Sequence, residues 1–144
     1  MTIIVDANIV FSAVLNPTRQ ISSLLLGIIR SDFILISPPF LKQELRKHRQ
    51  RLVDITEGSV EVIEELMQVY YKRIMFYNEE IIPQEIWNHS DIFTKGVDIK
   101  DSVSVASSLF FHSPIWSGDT TLKKRLQSKG RDMLLNTQEL LEII

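Results

Sequence analysis

Five acidic residues fall where chemistry could use them. Asp6 closes the apolar run TIIV at residues 2–5. Glu44 lies in PPFLKQEL, a turn or so after a Pro-Pro pair. Asp98 and Asp101 stand three apart in GVDIKDSVSVA, ahead of an apolar, small-residue run. Asp119 follows SPIWSG. Two carboxylates about 4 Å apart repel by about 4 kcal/mol at an effective dielectric of 20. Four or five in one pocket must therefore share protons or share a hard cation. The chain has no cysteine, and its histidines, His48, His89 and His112, are scattered, so an oxygen-only set favours Mg²⁺ or Mn²⁺ over zinc. Such a cation polarises a phosphodiester, lowers the pKa of water and stabilises the leaving oxygen. Taken singly, each acid also has a structural reading. Asp98, Asp101 and Asp119 suit helix caps and first turns, and Glu44 suits an i,i+3 pair with Lys47. Asp6, directly after a buried strand, is the hardest to explain by structure alone.

The elements that must position these acids alternate. Apolar runs at 2–5, 33–37, 113–119 and 132–136 read as strands. Helical patterns occupy 7–15, with Asn8 near the cap, then 21–30, 40–55, 59–77, 84–96 closed by Gly96, 100–111, and 120–130 ended by Gly130. A last helix starts after Asn136 or Thr137. The EEIIP run at 79–83 reads as extended. This alternation predicts an α/β domain with a mostly parallel sheet, as a single domain over 1–144. In such sheets ligands bind beyond the carboxyl ends of the strands, where the strand order reverses. If the first strand neighbours the 113–119 strand across that point, Asp6 and Asp119 face each other. Helix starts at the same edge bring Asp98 and Asp101 near, and Glu44 reaches in from the side.

Composition narrows the partners. No run approaches the roughly 20 apolar residues of a membrane span. The N-terminus MTIIVDANIVFSAVL has no basic segment and carries an acid within its apolar stretch, unlike a secretory signal, so a cytoplasmic location is expected. Net charge is −2, which decides nothing, but the cations cluster. Lys42, Arg46, Lys47, Arg49 and Arg51 form one group, and Lys123, Lys124, Arg125, Lys129 and Arg131 another. Two positive patches can steer a polyanion, or can be solvated helix faces.

Four motifs in order resemble the PIN domain family of metal-dependent nucleases. IIVDANIVFSAVL is similar to an apolar strand, Asp-x-Asn and an apolar helix. PPFLKQEL is similar to the Glu-bearing helix after strand two. DIKDSVSVASSL resembles the acidic pair leading into a small-residue helix, and SPIWSGDTTLKKRL the strand followed by Thr/Ser-x-Asp. The resemblance runs from residue 2 to about 126. It implies a three-layer α/β/α sandwich around a central, mostly parallel sheet of four to five strands. It implies that Asp6, Glu44, Asp101 and Asp119 are catalytic acids around Mg²⁺ or Mn²⁺, with Asp98 a fifth ligand and Asn8 and Ser117 supporting by hydrogen bonds. Ser102 departs from the family pattern, which carries Ala or another acid there, and removes no ligand.

Small members of this family resemble VapC-type toxins, ribonucleases held inactive by an antitoxin and commonly homodimeric. The expected function is thus a metal-dependent endoribonuclease, the toxin of a toxin–antitoxin pair, with RNA phosphates bound by Lys42, Arg46, Lys47, Lys123, Lys124 and Arg125. The alternatives are a stand-alone PIN nuclease without an antitoxin and an inactive PIN-like module that binds nucleic acid. A phosphotransferase with Asp6 as nucleophile would want an acid two residues on, where Asn8 stands. A receiver-like domain would want an acidic pair near the first strand, where Asp6 is alone.

Overall fold

The computed structural model describes residues 1–28, 32–95 and 99–144. The elements run β1 (Thr2–Val5), α1 (Ala7–Leu15), α2 (Gln20–Leu25), β2 (Ile34–Ser37), α3 (Phe40–Lys47), α4 (Arg49–Thr56), α5 (Val60–Tyr71) and β3 (Ile74–Phe76). A short 3₁₀ turn (Glu79–Ile81) follows, then α6 (Gln84–Thr94), α7 (Ile99–Phe111), β4 (Ile115–Trp116), α8 (Thr120–Ser128), β5 (Leu134–Leu135) and α9 (Thr137–Ile143). The five strands lie in the order β3-β2-β1-β4-β5, every pair parallel. Strand β1 is central, with Ile4 in register with both Ile36 and Ile115. The order reverses between β1 and β4, as the placement of Asp6 and Asp119 required.

Side chains alternate across a strand, so each strand feeds two cores. Ile3 and Val5 of β1, Leu35 of β2 and Trp116 of β4 face a core shared with α1, α2, α3, α4, α5 and α9. Ile4, Ile36 and Ile115 face the other way, onto Phe93 of α6, Val105 of α7 and Leu122 and Leu126 of α8. The sheet is covered on both faces, which is why TIIV and ILIS are apolar without a polar alternation. The three-layer α/β/α sandwich implied by the sequence is the observed architecture.

Four expectations change. The helix expected over 59–77 ends at Tyr71, and Ile74–Phe76 is the edge strand β3. The helix expected over 40–55 is two, broken at His48, whose φ of −101° and ψ of 7° stop the helical ladder without a proline or glycine. The 79–83 run is a 3₁₀ turn rather than extended chain. The helix expected over 21–30 ends at Leu25, ahead of Gly27, whose φ of 72° is left-handed; the stop expected at Gly96 falls outside the described residues.

One interior hydrogen bond repairs a local defect. The Ala13 carbonyl near the end of α1 would normally accept from residue 17, but Pro17 has no N–H. The Tyr70 hydroxyl of α5 donates to it instead, at 3.1 Å, and sits 2.6 Å from the Ser22 hydroxyl of α2. Burial pushes the Tyr70 hydroxyl above its usual pKa, partly offset by Ser22.

Candidate functional site at the sheet edge

Asp6 is the residue between β1 and α1. Its extended backbone makes it, rather than Asn8, the N-cap of α1, and its Oδ1 accepts from the Ala7 N–H at 2.7 Å. Its Oδ2 accepts from the Ser117 hydroxyl at 2.6 Å and from Asn8 Nδ2 at 3.2 Å. Asn8 lies in the first turn of α1 with its amide held from three sides. Nδ2 also donates to Ser117 Oγ at 3.0 Å, and Oδ1 accepts from the Gly118 N–H at 3.0 Å. Ser117, fully buried after β4, also accepts from the Asp119 N–H at 3.1 Å. A dense polar net thus ties the end of β1 to the end of β4 across the switch point, and fixes the Asp6 carboxylate.

Asp119 is the N-cap of α8, its Oδ1 accepting from the Leu122 N–H at 2.9 Å. Glu44 on α3 is almost wholly buried, and its Oε1 pairs with Lys47 at 3.1 Å. The structural readings of both acids therefore hold, and neither excludes a second role. Asp6 and Glu44 line one narrow recess together with Ser37, Pro38, Phe40, Val103 and Ser104. Asp101, half-buried in the first turn of α7, precedes Ser104 by three residues and so shares its helical face. Asp98 lies outside the described residues.

The expected convergence of four or five acids is not what the described residues form. Among them, no three His, Asp or Glu side chains come together closely enough to hold a metal. What they supply to the recess is a pair, Asp6 and Glu44, with Asp119 linked to Asp6 through Ser117. The donor chemistry of that pair suits a hard divalent cation. Both ligands are carboxylates, both are close to fully buried, and one Glu44 oxygen takes no hydrogen bond from the described residues.

The six cations expected to bind phosphate divide into two sets. Lys42 lies over the rings of Phe76 and Tyr71, 4.2 and 5.3 Å from their centroids. Lys47 pairs with Glu44, and Lys123 pairs with Glu139 of α9. Glu139 is pulled below the usual carboxylate range, first by its Lys123 hydrogen bond and then by the Asn136 N–H. Among the described residues, Arg46, Lys124 and Arg125 carry no such partner. Reasoning from the sequence missed two further side chains beside the site, His48 and Arg51. They line a second recess that shares Ala7 and Glu44 with the first, and the helix break at His48 is what places them there.

The sequence matches the PIN domain family over residues 4–138. Comparison with curated proteins gave no match. Among solved structures, a chain in the crystal structure of VapBC2 from Rickettsia felis bound to a DNA fragment from their promoter has a similar fold. Its TM-score is 0.68 at 10% identity, with 94% of this chain and 98% of that chain covered. No described helix is long and apolar enough to cross a membrane.

Proposed function

The chain belongs to the PIN domain family, and from that premise we propose that it is a divalent-metal-dependent endoribonuclease, cytoplasmic, acting as the toxin of a toxin–antitoxin pair. PIN domains are generally nucleases. The observation that carries the reading is the Asp6 carboxylate, fixed by Ala7, Asn8 and Ser117 at the switch point and facing the same recess as Glu44. The net is preorganised, since the Ala7 N–H, the Asn8 amide and the Ser117 hydroxyl hold the Asp6 carboxylate in one orientation. The likeness of fold to a chain from a VapBC complex makes an antitoxin partner the assembly to test, while the homodimer rests on the resemblance alone.

Asp6 and Glu44 would hold the cation, with Asp101, Asp119 and Asp98 completing the ligand shell. Mg²⁺ or Mn²⁺ bound there supplies charge stabilisation for the phosphodiester and activates water for attack. Asn8 and Ser117 keep Asp6 in one orientation. Asp119 is held at the N-terminus of α8 by the Leu122 N–H, where the helix dipole favours a negative charge. Arg46, Lys124 and Arg125 attract the RNA backbone and position it without reading sequence. Lys42, Lys47 and Lys123, engaged within the protein, contribute field more than contact.

Asp6→Asn tests the assignment. It places an amide where Ser117 and Asn8 both donate, so it costs about 1–3 kcal/mol of stability, less than a domain's total. The variant is expected to stay folded by circular dichroism and to lose Mg²⁺- or Mn²⁺-dependent cleavage of single-stranded RNA. Full cleavage by pure Asp6→Asn protein would overturn the reading. Calorimetry that finds no Mg²⁺ or Mn²⁺ binding, with RNA binding retained, would favour the inactive binding module.

A further inference from the structure

Beside the acidic recess lies a second one of about 170 Å³, lined by Ala7, Asn8, Phe11, Glu44, Leu45, His48 and Arg51. We propose that it is a nucleobase subsite, taking one unstacked base of the RNA next to the scissile phosphate. The inference rests on the nuclease reading, because Ala7 and Glu44 line both recesses.

The walls decide the ligand. Three planar groups meet there. The His48 ring stands edge-on to Phe11, with centroids 6.1 Å apart at 87°. The Arg51 guanidinium lies over the Phe11 ring, 5.5 Å from its centroid. Single-stranded RNA is recognised by unstacking bases onto aromatic rings and guanidinium planes. Arg51 is the one Lys or Arg in this lining, and the Glu44 carboxylate beside it, which Lys47 pairs with from outside the lining, disfavours a phosphate there. Phe11, Leu45 and Ala7 supply the apolar surface that a base prefers to water. Asn8 takes no part in base reading, since its amide is already spent on Asp6, Ser117 and Gly118. His48 and Arg51 are exposed, and His48 makes no side-chain cap bond to α4, so both are available to a ligand. Phe11 packs against the core and acts as the floor.

The test uses His48→Ala and Arg51→Gln, surface changes that leave the core untouched. Short single-stranded RNAs, each abasic at one position in turn, are bound to wild type and variants without metal and followed by fluorescence anisotropy. The same RNAs are then cleaved in Mg²⁺ or Mn²⁺. In wild type, one abasic position next to the cleavage site is expected to weaken binding about tenfold, at the lower end for a stacked base. Each variant should bind intact RNA more weakly by a similar factor and lose most of the penalty at that position. A full abasic penalty in both variants would overturn the subsite, including the case where Arg51 merely touches a phosphate and weakens all RNAs alike. Wild type that binds no RNA overturns it too. Wild type that cleaves nothing but shows the expected binding pattern sinks the nuclease reading and leaves the subsite standing.

Discussion

Ser117→Ala removes the hydroxyl at the centre of the site's polar net. In the wild type that hydroxyl donates to Asp6 Oδ2 at 2.6 Å and accepts from Asn8 Nδ2 at 3.0 Å and the Asp119 N–H at 3.1 Å. A bond to a charged acceptor contributes about 1.5–3 kcal/mol and a neutral one about 0.5–1.5. Asn8 Nδ2 keeps Asp6 as an acceptor at 3.2 Å, so its loss is partial. The Asp119 N–H loses its acceptor at a fully buried neighbour. The sum is about 3 kcal/mol, or a fall in Tm of roughly 6–12 °C for a domain of this size. Thermal and urea unfolding by circular dichroism measure it, with an unchanged m-value expected. Ser128→Ala is the control, since its hydroxyl donates to the Arg125 carbonyl at an exposed site and its loss should stay within about 0.5 kcal/mol. Cleavage should fall as well, by roughly ten- to a hundredfold, because Asp6 is no longer held to one orientation. A Ser117→Ala protein as stable as the Ser128→Ala control would refute the claim that this hydroxyl ties β1 to β4. Lost stability with cleavage intact would refute the claim that the tie serves the site.

Three other outcomes are expected. Tyr70→Phe should cost about 1–3 kcal/mol in urea unfolding, because the Ala13 carbonyl, deprived of a donor by Pro17, loses its substitute. Glu139 has a folded pKa lowered by Lys123, so its stabilisation is present above the ordinary carboxylate value and is lost as pH falls through the lowered one. Glu139→Gln should therefore narrow the gap between Tm at neutral pH and Tm in acid, and an unchanged acid limb would count against the Lys123 pair. The salt dependence of single-stranded RNA binding should follow the unpartnered cations. Three phosphate contacts give a log–log slope of about −2, whereas six would give about −4, and a slope at the steeper value would mean that Lys42, Lys47 and Lys123 leave their partners for RNA.

How much of this was legible in the sequence depends on how locally each feature is encoded. β1 and β2 follow from apolar runs that end at Asp6 and Ser37, whereas the order that sets β1 beside β4 enters only as a condition. Residue types leave the α9 cap between Asn136 and Thr137, and the reciprocal pair with Glu139 settles it as Asn136. β3 could not be read. It is three residues long, follows α5 with no glycine or proline between, and continues an apolar pattern that a helix would also show. The break at His48 has no marker residue either, and without it Arg51 reads as one more solvated cation. Asn8 is the instructive case among the site residues. Its type placed it at a cap, but the cap position went to Asp6, and Asn8 became the clamp. The cations were visible as clusters, and the Glu44–Lys47 pair with them, but Lys123 is taken by Glu139, 16 residues further on, and Lys42 by the rings of Phe76 and Tyr71. Sequence spacing placed five carboxylates at one edge. It could not set the last few ångströms that decide whether they form one ligand set.

The net around Asp6 also fixes when the protein can act. Asp6 and Asn8 are made before the hydroxyl that orients them, which is 111 and 109 positions further on. β1 is the central strand and stays open on one side until β4 is present to pair with it. Contacts of such sequence separation form late in folding. A growing chain that has not yet extended past Ser117 therefore lacks an assembled site, whatever else it has folded. For a protein proposed to cut RNA, that order of events keeps the emerging chain harmless to the message from which it is being translated.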